Sequence, residues 1–446
     1  MKKIIAILLV IITVLSVIAC NDSGETPAGS GSDNTLGNND QDNGQNTEEV
    51  NIPFVENGKS TAYIVVPEQL TAGVNHARTR LQLAIKEKTG VTVLSGTMSD
   101  TEYEIHLGNT SAEAAVMIEA LGEDEYAIKA VDKKLYFVAK NDLWLYDVID
   151  IFLEMYMEKA EYFESGNKSL VLKKSIDRTA KTKTNTLRYY LSLGQEELNA
   201  SVEVAATATN DLQESTSSKT VPYRRQGGCF NGTNYYQGLI TKNEEYGRIM
   251  MRNTVTGEMI FSECRQDMGH INDMDYNSKT NEVLVSNGST IVIFDGTTLA
   301  YKRTVKASVS SGSQIAYDPI KDQYVFARAP YKYVKNDFST ATGKVIESNQ
   351  SLQDKYGYNA FQGTACDGYF FIALQARSGA GTNGGYSCHA AVYSTDGTYL
   401  GNIKVEIPNG YEPENVSIYN GDIYVAACTP VPTATLYRVV IETPEK

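Results

Sequence analysis

A short pattern that recurs late in the chain limits the folds open to it. Gln226-Gly227-Gly228-Cys229-Phe230-Asn231-Gly232 parallels Gln362-Gly363-Thr364-Ala365-Cys366-Asp367-Gly368. In both, Gln-Gly opens an extended segment, and an Asn/Asp-Gly turn follows at the same offset. Three further segments fit the frame more loosely: Asn272 to Tyr276, Ser313 to Tyr317, and Glu414 to Ile418. Each leads through a turn into a second apolar run, such as Glu282 to Val285, Gln323 to Phe326 or Asp422 to Ala426. With Gln226, Asn272, Ser313, Gln362 and Glu414 taken as equivalent, the repeats lie 46, 41, 49 and 52 residues apart. Helical periodicity is absent throughout this stretch, and Gly and Tyr are frequent.

Repeats of this length hold four short strands each, so residues 221–446 resemble a β-propeller, with five blades fitting better than six or seven. Only 32 residues follow Glu414, too few for a complete blade. The missing outer strand is expected from before Gln226, an exchange that closes the ring and protects its sheet edges. A β-sandwich shows strands at similar density, but it gives no reason for Gln-Gly to recur at one place.

The N-terminus supplies the setting. Met1-Lys2-Lys3 is a short cationic head, and an apolar run continues from Ile4 to Ala19. Such a run reads as a signal-peptide core, near the lower length limit of a spanning helix. Val17-Ile18-Ala19-Cys20 then matches the bacterial lipobox. The expectation is therefore a lipoprotein: residues 1–20 form the signal peptide, and Cys20 carries the lipid that tethers the chain to the cell membrane, outside the cytoplasm. An uncleaved N-terminal anchor is the alternative, and it places the rest of the chain on the same side. Residues 21–50, rich in Asn, Asp, Gly, Ser and Thr, cannot bury enough to offset their ordering entropy and read as a disordered tether. Its reach is roughly 30 Å.

Residues 51–175 alternate strand and helix patterns. Ala62–Val66, Val91–Leu94, Tyr103–Leu107, Tyr126–Val131 and Leu135–Val138 read as strands. Val74–Lys88, Ser111–Leu121 and Asn141–Met157 read as helices, with Ser111 as an N-cap. This is the pattern of a small α/β or α+β domain. The run Tyr103-Glu104-Ile105-His106-Leu107-Gly108-Asn109-Thr110, the hairpin Glu125 to Ala139 and the helix Leu143 to Tyr156 resemble the non-catalytic N-terminal domain of bacterial hexosaminidases and α-glucuronidases. The resemblance implies a glycan-related setting. It carries over no catalytic residue, because in that family these lie on a barrel for which this chain has no segment. Residues 176–220 read as a linker that holds the possible closing strand.

The formal net charge is −14 and the isoelectric point about 4.9, which argues against nucleic acid as a partner. Besides Cys20 there are Cys229, Cys264, Cys366, Cys388 and Cys428, widely spaced and without a C-x-x-C. Neither a zinc site nor a redox motif follows. They read as buried small hydrophobes, with one or two disulfides open to them. The glycine-rich stretch Ser378 to Gly385 lacks the Lys-Ser/Thr ending of a phosphate loop, so no cofactor is implied, and it reads as a loop near the channel. Asp273, Asp275 and Asn277 begin like a calcium loop, but Ser278 and Leu284 stand where Gly and Glu are required, so no metal is expected.

In a propeller the leading residue of each inner strand faces the channel mouth. Here those positions are polar: Gln226, Asn272, Gln314, Gln362 and Glu414. They are candidates for holding ligand hydroxyls, with Tyr235, Tyr236 and Tyr358 as flat walls. The plainer reading is a water-filled channel whose polar groups pair with one another. His270, Asp273, Glu412 and Glu414 are the candidate acids and bases. Five-bladed glycosidases place three acidic residues on separate inner strands, and this sequence departs from that pattern at Gln226 and Gln362. His76, His106 and His389 read as structural. Three functions remain open: binding of an extracellular glycan or cell-wall polymer, glycan cleavage, and a protein-interaction scaffold. Oligomeric state is not legible.

Overall fold

The computed structural model describes residues 49–182, 187, 197–209, 224–241, 244–308, 314–326, 331–339, 341–346, 360–378, 386–408, 411–428 and 433–442. The residues expected to form a signal peptide and a tether, to residue 48 and including Cys20, lie outside them, as do Ser313, Tyr358, Gly379 to Gly385 and most of 183–223.

The first of two regions mixes helices and strands. A six-stranded sheet runs in the order Asp177–Lys181, Glu125–Val131, Lys134–Ala139, Tyr103–Leu107, Ala62–Val65, Ser95–Gly96. Its last four strands are parallel and its first two pairings antiparallel. A four-stranded antiparallel sheet stands beside it, built around Glu49–Glu56 and Ser169–Lys174. The long helix Ala72–Thr89 starts where the Thr71 hydroxyl accepts the Val74 N–H, and it stops at Gly90, whose φ of 77° a side chain would strain. Val74, Ala77, Leu81, Ala84 and Ile85 form its buried stripe. They pack with Ile64, Ile105, Phe137 and Phe152 in one core.

Several boundaries differ from the sequence reading. Glu49 and Val50, which the sequence reading placed in the tether, begin the first strand. The α/β region extends past 175 to Lys181, because Asp177–Lys181 pairs along Glu125–Lys129 as an edge strand. Val91–Leu94 is not a strand; pairing falls on Ser95–Gly96 instead. The helix expected over Asn141–Met157 is three segments: a 3₁₀ turn at Asp142–Trp144, an α-helix at Leu145–Phe152 and a π turn at Leu153–Met157. Trp144 is buried, with its indole N–H on the Glu123 carbonyl at 2.9 Å.

Beyond Arg224 the described residues are dominated by antiparallel strands. Three four-stranded sheets follow in chain order, opening with Arg224–Phe230, Asp273–Asn277 and Ile315–Asp318. An eight-stranded sheet follows, made of two such units joined edge to edge. The first unit opens with Ala360–Cys366 and the second with Glu412–Tyr419. The second takes its fourth strand from Glu197–Thr209, which precedes all the others in sequence. That strand pairs antiparallel with Thr433–Ile441 and, over Glu197–Ala200, parallel with Asn402–Val405. The five opening strands neighbour one another in chain order, and the last also neighbours the first, so they form a closed ring.

The first region packs on the fourth unit of this ring. His76 stacks on Tyr146 at 4.2 Å between ring centroids and lies 5.1 Å from Tyr369, while Tyr146 stacks on Phe370 at 5.4 Å. The Asn75 amide donates to Asp396. A narrow crevice along this contact is lined by Asn75, His76, Arg80, Lys321, Thr395 and Asp396.

Candidate functional site

Each opening strand of the ring is hydrogen-bonded to a neighbour on one side only, which leaves its other edge facing the axis. Backbone N–H groups on that edge need acceptors, and acidic and hydroxyl side chains of adjacent strands provide them. Asp273 Oδ2 accepts from the Ile315 N–H at 2.9 Å and from the N–H and hydroxyl of Thr364 at 3.3 and 3.2 Å. Its Oδ1 accepts from the Met274 N–H at 3.0 Å and from the Asn415 amide. One carboxylate thus ties together four opening strands. Asp275 repeats the device one step along, accepting from the Tyr317 N–H at 2.5 Å, and the Ser417 hydroxyl accepts from the Phe230 N–H at 3.1 Å.

Asp273 is 0% exposed and both its oxygens are saturated. Burial pushes its carboxyl well up, and the donors around it pull the other way. It has no face open to a ligand, so it cannot serve as an acid or base, and the axis at its level is filled by protein rather than by a water-filled channel. The glycines of the repeat make this convergence possible. A methyl group on Gly227 would stand 3.1 Å from the Asp273 Cα, and one on Gly363 would stand 2.8 Å from the Asn415 Cα.

The leading residues gather at one end. The Gln226 amide reaches Glu414 Oε1 at 3.5 Å, and the Gln362 amide reaches Glu412 Oε1 at 3.3 Å. Three opening strands carry a bulge here, at Gly227, Gln362 and Glu414, which turns these side chains towards one another. Glu414 is 6% exposed; burial and then the neighbouring Glu412 hold its carboxyl well above the usual range. Glu412 is only half-buried.

Asn272, His270, Tyr235 and Tyr236 do not join this cluster. Asn272 is occupied within its own sheet, accepting the Gly288 N–H at 3.3 Å. Gln314 is buried. His270 is half-buried and lies 2.9 Å from Glu244, and no hydrogen bond links it to Asp273 among the described residues. Tyr235 and Tyr236 are fully buried and offer no wall to a ligand. The hydroxyl of Tyr236 donates to the Gly296 carbonyl at 2.6 Å. The start of the failed calcium loop is engaged in turn capping: Asn277 Oδ1 accepts from the Lys279 and Thr280 N–H groups. Cys229, Cys264, Cys366, Cys388 and Cys428 are all free thiols. His106 bridges Glu104 and Thr110, and His389 lies 2.6 Å from the Asn402 amide.

Behind the mouth lies a group the sequence reading missed. Arg225 is 5% exposed, between the first and last units of the ring. Its Nε and Nη2 are buried without a hydrogen-bond partner. Its neighbours include Tyr235 and Cys428, and Cys428 in turn adjoins Glu412 and Glu414.

No family model matches this chain, and no curated protein matches it. Among solved structures, a chain of the "Crystal structure of Nidogen/Laminin Complex" is similar over 54% of this chain and 97% of its own length, at 14% identity and a TM-score of 0.33.

Proposed function

We propose that this chain is a lipoprotein, anchored through Cys20 outside the cytoplasm, whose ring of sheets is a five-bladed β-propeller that binds a glycan or other envelope polymer at its mouth. The observation that carries the reading is the convergence of Gln226, Gln362, Glu412 and Glu414 at one end of the ring. Paired amides and carboxylates present donors and acceptors side by side, which suits the hydroxyls of a sugar. The lipobox and the acidic, polar tether support a site held within a few nanometres of a membrane. The resemblance of the first region to glycosidase accessory domains supports a glycan over a protein as the ligand.

Cleavage is a weaker reading for a specific reason. Of the four candidate acids and bases, Asp273 is saturated and inaccessible and His270 pairs with Glu244, so only Glu412 and Glu414 remain at the mouth.

The test is a glycan array probed with the purified protein and with a Glu412→Gln/Gln362→Ala double variant. Binding that the double variant lowers at least tenfold is expected; no binding by the wild type to host or bacterial glycans would remove the reading. Metabolic labelling with palmitate addresses the anchor, with label in the wild type and none in Cys20→Ser.

A further inference from the structure

Glu104, His106 and Thr110 stand in one hydrogen-bonded chain in the α/β region. The His106 Nε2 lies 3.0 Å from Glu104 Oε2, and its Nδ1 lies 2.9 Å from Thr110 Oγ1. An ionised carboxylate only accepts, so Nε2 carries the ring proton and Nδ1 is left to accept from the Thr110 hydroxyl. Acid, imidazole and hydroxyl in this order activate a nucleophile, an arrangement recognised by geometry and not by position in sequence. The protonation states agree with it. Burial acts to raise the Glu104 carboxyl, but bonds from Lys134, at 3.1 Å, and from His106 outweigh it and keep the acid ionised. Burial, against the pull of Glu104, holds the His106 imidazole below its ordinary range and therefore neutral. The ring is 3% exposed and stacks on Tyr136 at 4.7 Å between centroids, which fixes its plane.

Local structure puts the hydroxyl within reach of solvent. The strand Tyr103–Leu107 ends at Gly108, and the helix Ala112–Glu119 begins four residues on. Thr110 lies in this strand-to-helix turn, half-buried, between the exposed Asn109 and the exposed helix start at Ala112 and Glu113. Ser111 caps the helix by accepting the Ala114 N–H at 3.2 Å, so capping does not account for the chain through Thr110. The N–H groups that open a helix have no partner within it, and such donors just after a nucleophile stabilise a developing oxyanion. We infer that Thr110 is the nucleophile of an esterase site separate from the mouth, with His106 as its general base and Glu104 as the residue that positions the imidazole. The Thr110 oxygen adds to the ester carbonyl while His106 Nδ1 takes its proton. That proton passes to the departing alcohol, which leaves an acyl ester on Thr110. Water, deprotonated by the same imidazole, then adds to this ester; the carboxylic acid leaves and the proton returns to Thr110. The methyl group beside the Thr110 oxygen crowds the attack and restricts the acyl group to a small one such as acetyl. The site owes nothing to binding at the mouth, so either can fail alone.

The experiment uses the full chain in detergent. Hydrolysis of 4-nitrophenyl acetate is followed in wild type, in Thr110→Val, which keeps the shape and removes the hydroxyl, and in Thr110→Ser, which keeps the hydroxyl. Melting temperatures are measured alongside. Turnover is expected to fall about a hundredfold in Thr110→Val and to stay within about tenfold of wild type in Thr110→Ser. An alkyl phosphonofluoridate should label the wild type with loss of fluoride, at Thr110 by peptide mass spectrometry. The role of Glu104 is read from the pH profile. In wild type the rate holds its plateau below about pH 6.5, the value of a free imidazole. In Glu104→Gln the plateau drops and the acid limb moves to lower pH, because the charge that raises the His106 pKa is gone, while Lys134 and Glu113 still face the ring. A wild type that does not turn over the ester overturns the inference, as does a folded Thr110→Val that matches wild type or a label on another residue. If Thr110→Val melts well below wild type, the site of the label decides.

Discussion

Removing the carboxylate of Asp273 is expected to destabilise the ring more than any other single side-chain change near its axis. In Asp273→Ala four buried donors from other strands lose their acceptor: the Ile315 N–H, the N–H and hydroxyl of Thr364, and the Asn415 amide. An unsatisfied buried donor costs about 1–3 kcal/mol. The Thr364 hydroxyl and the Asn415 amide can rotate to other acceptors, and the desolvation of the acid is itself relieved. The two backbone donors have no such freedom, and neither has the Met274 N–H that Oδ1 also accepts, so the net loss is about 3–6 kcal/mol. Asp273→Asn should behave differently. It keeps one acceptor for Ile315 and Thr364, and its new amide can donate to Asn415 Oδ1, which is buried without a partner, once the Asn415 amide has turned over. The Met274 carbonyl then loses the bond it receives from Asn415 at 3.0 Å, and the Met274 N–H loses the Oδ1 acceptor it shared with Asn415, which sets the cost at about 2–3 kcal/mol. Urea unfolding read by tyrosine emission, which reports mainly on the ring, gives both values. The reasoning fails if Asp273→Ala lies within about 1 kcal/mol of wild type, or if the alanine and asparagine variants are equally stable.

Two further outcomes follow from the same geometry. Gly363→Ala should lose about 1–3 kcal/mol, because the added methyl meets the Asn415 Cα at 2.8 Å and the Val416 nitrogen at 3.1 Å, both backbone atoms that cannot step aside. Gly166→Ala, where nothing lies within 4 Å, should be neutral in the same denaturation assay. Burial pushes the Asp275 carboxyl up to about 7, above its unfolded value of about 3.9. Its contribution is therefore fully present below about pH 4 and is lost as pH rises through about 7, at no more than about 1.4 kcal/mol per pH unit. Asp275→Asn should flatten the stability profile across that window, and an unchanged profile would show that the group does not titrate there.

The sequence disclosed most where structure is local. The turn after each of the first four opening strands is held by one side chain that accepts two N–H groups just downstream. Asn231 accepts from Thr233 and Asn234, Asn277 from Lys279 and Thr280, Asp318 from Ile320 and Lys321, and Asp367 from Tyr369 and Phe370. These positions are 46, 41 and 49 residues apart, the spacing of the repeats. A partner two or three residues away leaves a trace in sequence. Glu197–Thr209 left a weaker one: a need for an outer strand from within 176–220, without a pattern that marks its residues. The helix over Asn141–Met157 was harder, since its apolar period does not reveal where 3₁₀ and π turns interrupt it.

The mouth was half legible, and the reason lies in one column of the repeat. The column of Gln226, Asn272, Gln314, Gln362 and Glu414 is polar throughout and drew attention as the site. The next column holds Gly227, Asp273, Gly363 and Asn415. Read as single residues, Asp273 looks like a free acid and the glycines look like turns. Read together, two residues without side chains stand beside two with hydrogen-bonding ones, in strands that must converge on an axis. Room for Asp273 and Asn415 at that axis exists because Gly227 and Gly363 vacate it, so the column specifies a packed polar hub and not a set of catalytic groups. Arg225 stands one column before the polar position, where Ile271, Phe361 and Pro413 stand in three other repeats. A residue that departs from its column leaves no trace in a comparison of the repeats, which is why Arg225, buried with no hydrogen-bond partner at Nε and Nη2, was not legible there.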